Sequence, residues 1–403
     1  MKKVQRVEQH HIKLNSDFGR FIDEYCYKSK NLYNYANYII RQEFISNNNW
    51  IRYNKLFEMV KDSEPYKDIG SNVGQGTLRM LDKAWKSFFE GMKGWSKNPE
   101  KYLGRPKLPR YRPKDGRYVL SLDSNKVKLK DGYVYFAWNP FKPFNNRFKT
   151  NAKDRILQCR LIPKSNYYTM EIVYEMEVPN CLDVSNRVVA IDVGVDNFIT
   201  MVNNIGEKPI AIKGGTIKSI NQYYNKQKAK IQSELKKVNN SDWSKRLQKM
   251  SDRRYEKIKY QMHCISKFIV DWCVLHEIDT IIVGHNNDWK QANTGMQNFT
   301  YIPYELFFKM LNYKSENNGI RYIENEEAYT SGTSFLDKED PVKKNYDKSR
   351  RVYRGLFISN NGIEINADVN AAYQIMKKVI PNAFADGIEG VGLHPVTIKK
   401  LVA

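Results

Sequence analysis

The sequence lacks any long apolar run. No apolar stretch approaches the ~20 residues that a helix needs to cross a bilayer. The first residues, Met1 to Arg6, are polar and show no apolar segment typical of a signal peptide. We therefore expect a cytoplasmic protein with no membrane partner.

Cysteines are also few, and none is paired in the sequence. The chain has five cysteines and no C-x-x-C motif. This spacing argues against a disulfide framework and against a cysteine-rich zinc site. We therefore expect a reducing environment and no zinc. The five residues are Cys26, Cys159, Cys181, Cys264 and Cys273.

Acidic residues are too few to balance the basic ones. The 403 residues include 66 Lys and Arg against 44 Asp and Glu, a formal net charge of +22. A solvated basic surface would explain solubility, but a polyanionic partner better explains such an excess. Aromatic residues make up 13% and include 27 Tyr, so rings are available to stack on unpaired bases, although most rings in any protein belong to the core.

The periodicity of apolar residues divides the chain into regions. Residues 15–100 show the spacing of three and four that is typical of helices, and residues 118–178 alternate as β-strands do. Between them, residues 104–113 contain three prolines and several cations, which indicates either a stiff segment along a phosphate backbone or an ordinary charged linker. From residue 186 onward, strand and helix patterns alternate as in an α/β sheet domain.

A basic helical region follows the first strands of this last domain. Residues 216–260 hold thirteen Lys and Arg against four acidic residues. This balance is more one-sided than a solvated helix requires. The sequence therefore predicts a helical hairpin, over residues 216–275, that faces nucleic acid.

Two acidic residues, Asp192 and Asp368, are candidate metal ligands. Asp192 lies in an apolar strand, where it is either a structural acid at a strand end or an acid that meets cations. Asp368 stands where the last helix starts, and from the pattern alone an N-cap is the simpler interpretation. Hydrolysis of a phosphodiester with two metal ions requires several carboxylates from separate elements.

Together, the two stretches resemble the first and third RuvC motifs of TnpB proteins, which are insertion-sequence nucleases related to type V CRISPR effectors and to Fanzor. The matching residues run from Ala190 to Asn197 and from Asn366 to Ile375, and the resemblance extends upstream to Leu78–Phe89 and Gly104–Tyr111. It implies a multi-domain α+β protein in which a helical recognition domain (15–100) is inserted in a wedge-like β-barrel domain (1–14 plus 101–185). An RNase H-like (RuvC) α/β nuclease domain (186–403) would follow.

The sequence departs from the family at the middle motif. Most relatives carry a catalytic Glu after the strand at Thr280–Val283, but here Gly284 occupies that position. A subset of the family supplies the Glu later, before a Thr-Ser pair, and this chain has Glu326 and Glu327 there. We take Glu327 as the third ligand, with Glu326 in reserve; the alternative is a solvated acidic turn. The target-binding insert at about 328–362 also lacks the four zinc-binding cysteines of many relatives.

The resemblance implies an RNA-guided DNA endonuclease whose partners are a guide RNA, transposon-derived or CRISPR-derived, and target double-stranded DNA. Asp192, Glu327 and Asp368 would hold two Mg²⁺ ions, with Mn²⁺ able to substitute. The alternatives are a nuclease-inactive guided repressor, an unguided DNA-binding transposase-associated protein and an RNA-binding scaffold. Residues expected to contact nucleic acid are Ser71, Asn72, Gln75, Arg79, Arg105, Lys107, Arg110 and Arg112.

Overall fold

A computed structural model describes residues 1–144, 147–181, 186–285, 302–385, 387 and 390–401. The chain divides into two compact units. Lys3–Glu177 forms the N-terminal unit, and Val178–Ala403 with Met1–Lys2 forms the C-terminal unit. The predicted recognition domain falls within the N-terminal unit, as does the predicted wedge-like domain except for residues 1–2 and those after 177, and the separation of the two domains stays a prediction.

Helices fill the N-terminal unit where the sequence shows helical spacing. The first begins at the N-cap Ser16, whose side chain accepts a hydrogen bond from the Gly19 N–H. On the last, Leu78, Leu81 and Trp85 are buried because their spacing places them on one face. The four helices are α1 (Asp17–Asn47), α2 (Tyr53–Val60), α3 (Glu64–Ile69) and α4 (Ser71–Lys97).

The strands of this unit form two sheets among the described residues, and the pairs β2–β6, β6–β7, β3–β4 and β4–β5 are antiparallel. A four-stranded sheet has the order β1-β7-β6-β2, and a three-stranded sheet has the order β3-β4-β5. The predicted β region is therefore present, while its closure into a barrel stays a prediction. The strands are β1 (Lys2–Lys13), β2 (Leu120–Asp123), β3 (Val127–Lys130), β4 (Tyr133–Phe136), β5 (Arg147–Lys149), β6 (Ile156–Pro163) and β7 (Tyr167–Val178).

The C-terminal unit is built on a mixed six-stranded sheet in the order β12-β11-β8-β9-β10-β15. The strands β8, β9 and β10 form an antiparallel meander, and β11 and β12 are added parallel to β8. The members are β8 (Val188–Val193), β9 (Asn197–Asn203), β10 (Ile210–Lys213), β11 (Thr280–His285), β12 (Arg321–Glu326) and β15 (Val396–Ile398). A separate hairpin consists of β13 (Leu356–Ile358) and β14 (Glu364–Asn366).

In the described part of this unit, four helices accompany the sheet. They are α5 (Gly215–Asn239), α6 (Lys245–Leu275), α7 (Tyr304–Asn317) and α8 (Ala367–Val379). The first two are the long helices expected over residues 216–275. None of the helices in the described ranges is both long enough and apolar enough to cross a bilayer.

The two faces of the sheet are buried by different helices. Val189 and Ile191 of β8 pack in a core that includes Ile265 of α6 and Phe307 of α7. Because side chains alternate along a strand, the other face of β8 is directed toward the opposite layer. Val188 and Ala190 accordingly join a second core that includes Tyr373 and Ile375 of α8.

Candidate active site and nucleic-acid-facing surfaces

Asp192 lies near the carboxyl end of β8, on the α8 side of the sheet. It follows Val188 and Ala190 at the strand period of two, and both belong to the core packed against α8. The alternation that buries these apolar residues therefore also directs the Asp192 carboxylate toward α8. The two interpretations left open for Asp192 can now be judged from its surroundings.

Asp368 lies in the first turn of α8 but does not cap it. The N-cap is Asn366, whose side chain accepts hydrogen bonds from the backbone N–H groups of Asp368 and Val369. The Asp368 carboxylate accepts a bond of 2.7 Å from Asn197 Nδ2 and another of 3.2 Å from the Arg351 guanidinium. The capping interpretation of Asp368 is therefore wrong, because a neighbouring amide performs that role.

Glu327 follows β12 directly and lies in phase with the α8 side of the sheet. Ile323, four residues earlier and so on the same face of the strand, packs against the core on the α8 side of the sheet. Glu326 is one residue out of phase and is exposed. A Cβ placed on Gly284 of β11 would lie 3.1 Å from Glu327 Oε2, so this carboxylate occupies the space where a side chain at 284 would begin.

The structure thus brings all three predicted acids to one polar pocket of about 380 Å³. Asp192, Glu327 and Asp368 come from a strand, a strand end and a helix start, and Glu326 is not among the lining residues. Burial raises the pKa of the Asp192 carboxyl well above its usual value, and the nearby Glu327 and Asp368 carboxylates raise it further. Like charges held this close indicate a site for cations.

The chemistry of these donors fits hard divalent cations, which prefer carboxylate oxygens. Within the described ranges, no three His, Cys, Asp or Glu side chains close around a single point as a ready-made metal site. The acids instead border an open pocket. Ions bound there would take further ligands from water or from a phosphate, as Mg²⁺ usually does.

Basic and amide groups at the same pocket were not singled out from the sequence. Arg351 contacts Asp368, Arg354 pairs with Asp196, and Lys218 pairs with the same Asp196. Asp196 belongs to the first motif, and its position there, two residues after Gly194, was the only sign in the sequence that it would lie at the pocket. The pairing of Arg354 with Asp196 spans more than 150 residues of chain, and no local sequence pattern predicts it.

The cysteine-free insert is held by side-chain contacts. The Arg350 guanidinium bonds to Glu339 at 2.7 Å and to the Gly332 carbonyl at 3.2 Å. Phe335 stacks on Tyr373 of α8 with ring centroids 4.6 Å apart. An ion pair and ring stacking therefore order this segment.

Four of the residues expected to contact nucleic acid lie in the first turns of α4. Ser71 is the first residue of the helix, and its backbone carbonyl and hydroxyl both lie within hydrogen-bond distance of the Tyr66 hydroxyl. Asn72 is half-buried, and Gln75 accepts a bond of 3.2 Å from Arg79. Arg79 also pairs with Asp123 at 3.1 Å. These four residues form one contiguous surface of the N-terminal unit.

The proline-containing segment is anchored to α1 through its backbone. The Pro109 carbonyl accepts bonds of 3.0 Å from both Asn37 and Arg41. The Arg112 N–H donates to Asn34 at 2.8 Å. The interpretation as a free charged linker is therefore wrong. The four predicted cations of this segment are exposed, namely Arg105, Lys107, Arg110 and Arg112.

Two family models match the C-terminal part of the chain. Residues 171–290 match OrfB_IS605, described as "Probable transposase", and residues 304–375 match the "Cas12f1-like, TNB domain". The first covers Asp192 and the hairpin α5–α6, and the second covers Glu327, the insert and Asp368.

Two relatives extend the match. TnpB-like protein ORF457 of Acidianus two-tailed virus is 23% identical over 391 residues, covering 87% of this chain and 82% of the relative. The CRISPR-associated endodeoxyribonuclease Cas12f1 of Sulfoacidibacillus thermotolerans is 24% identical over 235 residues, covering 56% of this chain and 54% of the relative.

Solved structures share the fold at low identity. A Cas12f1–sgRNA–target DNA complex aligns with a TM-score of 0.56 and 12% identity, covering 89% of this chain and 82% of that chain. The mini-RNA-guided endonuclease CRISPR-Cas_phi3 aligns with a TM-score of 0.50 and 10% identity, covering 93% and 92%. The protein thus has the mixed α/β fold of these effectors. In sequence, the chain is similar to a TnpB-like protein over most of its length and to Cas12f1 over about half of it.

Proposed function

We propose that this protein is an RNA-guided DNA endonuclease that cleaves target DNA beside a short adjacent motif. The observation that carries the proposal is the convergence of Asp192, Glu327 and Asp368 on one pocket. Hydrolysis of a phosphodiester with two metal ions requires such acids on separate elements, because the ions lie only ~4 Å apart and need anions between them.

The topology supports an RNase H-like assignment for the C-terminal unit. An antiparallel meander of β8, β9 and β10 is extended from β8 by two parallel strands, which is the strand order of that fold. In parallel strands the carboxyl ends lie at one edge of the sheet, and ligands bind there. Asp192 and Glu327 both stand at that edge.

In the proposed reaction, the three carboxylates would hold two Mg²⁺ ions, or Mn²⁺ in their place. Bound there, the metals would supply an activated water and stabilise the departing 3′ oxygen. Arg351 and Arg354 add two positive charges at the pocket, where an entering phosphodiester would meet them. The Asn197 amide orients the Asp368 carboxylate.

Sequence selection would belong to the guide RNA, with the protein reading only the adjacent motif. The related Cas12f1 structure is a complex with sgRNA and target DNA, and the net charge of +22 suits such polyanions. We propose that the motif is read by Ser71, Asn72 and Gln75. Arg79 and the cations of residues 105–112 would contact the phosphate backbone of the nucleic acid.

The test is to sequence the RNA that copurifies and then measure cleavage of a matching DNA target. Asp192→Ala and Glu327→Gln should lower the rate by ~10³-fold or more, because each removes a metal-binding carboxylate worth several kcal/mol. Glu326→Gln is the matched control and should stay within about threefold of wild type, because its side chain lies outside the pocket.

Each alternative has its own outcome. RNA-dependent DNA binding without Mg²⁺-dependent cutting would indicate a guided repressor, and binding without copurified RNA would indicate an unguided transposase-associated protein. RNA binding with no activity that depends on Asp192 would indicate a scaffold. Loss of cutting in Glu326→Gln but not in Glu327→Gln would move the third ligand by one residue.

A further inference from the structure

A cleft of about 580 Å³ lies between α5 and α6, away from the three acids. Among the described residues that line it none is acidic, while five basic side chains of α6 do so. Their spacing of three, four, one and three places them on one helix face. At 1.5 Å per residue the set spans ~16 Å, the length of four to five stacked nucleotides of one strand. The five are Arg246, Lys249, Arg253, Arg254 and Lys257.

Two tyrosines of α5 form the opposite wall. Tyr224 is buried, and the Arg254 guanidinium lies over its ring at 4.0 Å from the centroid. Tyr223 is 66% exposed, so its ring faces the cleft without being part of the core. The cleft is therefore lined by a cation–ring pair, Arg254 on the buried Tyr224, and by the accessible ring of Tyr223.

We propose that this cleft is a binding site for unpaired nucleotides, with a base stacked on Tyr223 and phosphates on the cations of α6. An unpaired base presents its face to an aromatic side chain, whereas the bases of a duplex are already stacked on each other. A duplex would meet only the surface charges. The cleft volume also lies within the range of ~300–1,000 Å³ that is usual for ligand sites.

The unpaired strand has two sources under the proposed function, a single-stranded part of the RNA or the DNA strand displaced from the target. The inference therefore rests on the proposed nucleic-acid partners, but not on cleavage. Binding is measured in EDTA, so that a protein without nuclease activity would still give a readable result.

The experiment uses the full chain freed of copurified nucleic acid and fluorescence anisotropy with labelled oligonucleotides. Single-stranded RNA, single-stranded DNA of the same sequence and blunt duplex DNA are compared. Tyr223→Ala should weaken single-strand binding about tenfold, since stacking of one base is worth that much, while Tyr223→Phe retains it. The matched control is Tyr260→Ala, which removes a ring of α6 that is 47% exposed and lies outside the cleft.

A second pair of variants tests the cations. Lys249→Gln should lower the salt dependence of single-strand binding by about 0.7 in the log–log slope, the value for one phosphate contact. Lys226→Gln removes an exposed lysine of α5 that does not line the cleft, and it should lower this slope by less.

The relative loss in the RNA and DNA arms identifies the source of the strand. Equal losses in Tyr223→Ala and Tyr260→Ala, or no loss in either, would overturn the proposal. So would an equal loss on blunt duplex, because the cleft would then contribute charge alone.

Discussion

The Gly284 position on β11 offers a sharp test of the site geometry. A Cβ added there would lie 2.5 Å from Ile375 Cδ1 and 3.1 Å from Glu327 Oε2. Gly284→Ala should therefore impair cleavage although it removes no functional group. The buried Ile375 side chain must shift to relieve the closer contact, and Glu327 must give way by a few tenths of an ångström.

The size of the effect follows from these distances. A displacement of about 1 Å in a catalytic group can cost ~10²-fold in rate. The shift imposed on Glu327 is smaller, so we expect a loss of roughly 5- to 50-fold in the single-turnover rate. Because the carboxylate remains present, raised Mg²⁺ or Mn²⁺ should recover part of the rate, which Glu327→Gln would not allow.

The assay is cleavage of a matched DNA target under single-turnover conditions across a Mg²⁺ series. Gly215→Ala, at the first position of α5, is the control, because nothing lies within 4 Å of its added Cβ. Wild-type rates for both variants would refute the placement of Glu327 beside Gly284. A fall in thermal stability equal to the fall in rate would instead point to misfolding.

Three further predictions concern stability. The folded-state pKa of Asp192 is raised, so its neutral form stabilises the fold at acidic pH and this contribution is lost as the pH rises through that pKa. Asp192→Asn should thus raise the Tm of the metal-free protein by a few degrees at pH 7.5 but not near pH 4. Mg²⁺ should raise the Tm of the wild-type protein only. Calorimetry that shows no Tm difference between variant and wild type at either pH contradicts this prediction. Burial lowers the pKa of Lys314 to about 8. Below that pH the buried charge destabilises the fold, and this destabilisation decreases as the pH rises from about 8 to the unfolded-state pKa of ~10.4. The Tm of wild type relative to Lys314→Met should therefore rise between pH 7 and 9.5, and a flat difference would refute it. Arg350→Ala should destabilise the insert by ~1–3 kcal/mol, because Glu339 loses the charged hydrogen bonds of a partly buried ion pair. Hydrogen exchange over residues 330–350 measures this, with Lys344→Ala as the exposed control that should leave exchange unchanged.

Most of the secondary structure could be predicted because the local patterns were strong. The long helices predicted over residues 216–275 appear as α5 and α6, and the strand at Thr280–Val283 appears as β11. Short elements were missed. The strand β15 has only three residues and is defined by its pairing with β10, a partner far away in the chain.

The site was predictable to the extent that motifs and strand phase determine it. Asp192 and Asp368 were found through their motifs, and the strand period explains why Glu327 rather than Glu326 reaches the pocket. The contact between Arg351 and Asp368 could not be predicted, because it depends on how the insert folds back. The role of Asn366 as the cap of α8 was missed because a neighbouring Asp was an equally good candidate.

The way in which the insert is held affects how metal-depletion experiments can be read. The Arg350–Glu339 pair and the Phe335–Tyr373 stack order this segment. It has no zinc-binding thiolates from which a chelator could remove a metal, and no thiol that an oxidant could modify. In a relative with a structural zinc, EDTA would both stop the reaction and melt the insert. In this chain we expect the two effects to separate, so that titration with a chelator should report on the proposed metal site alone.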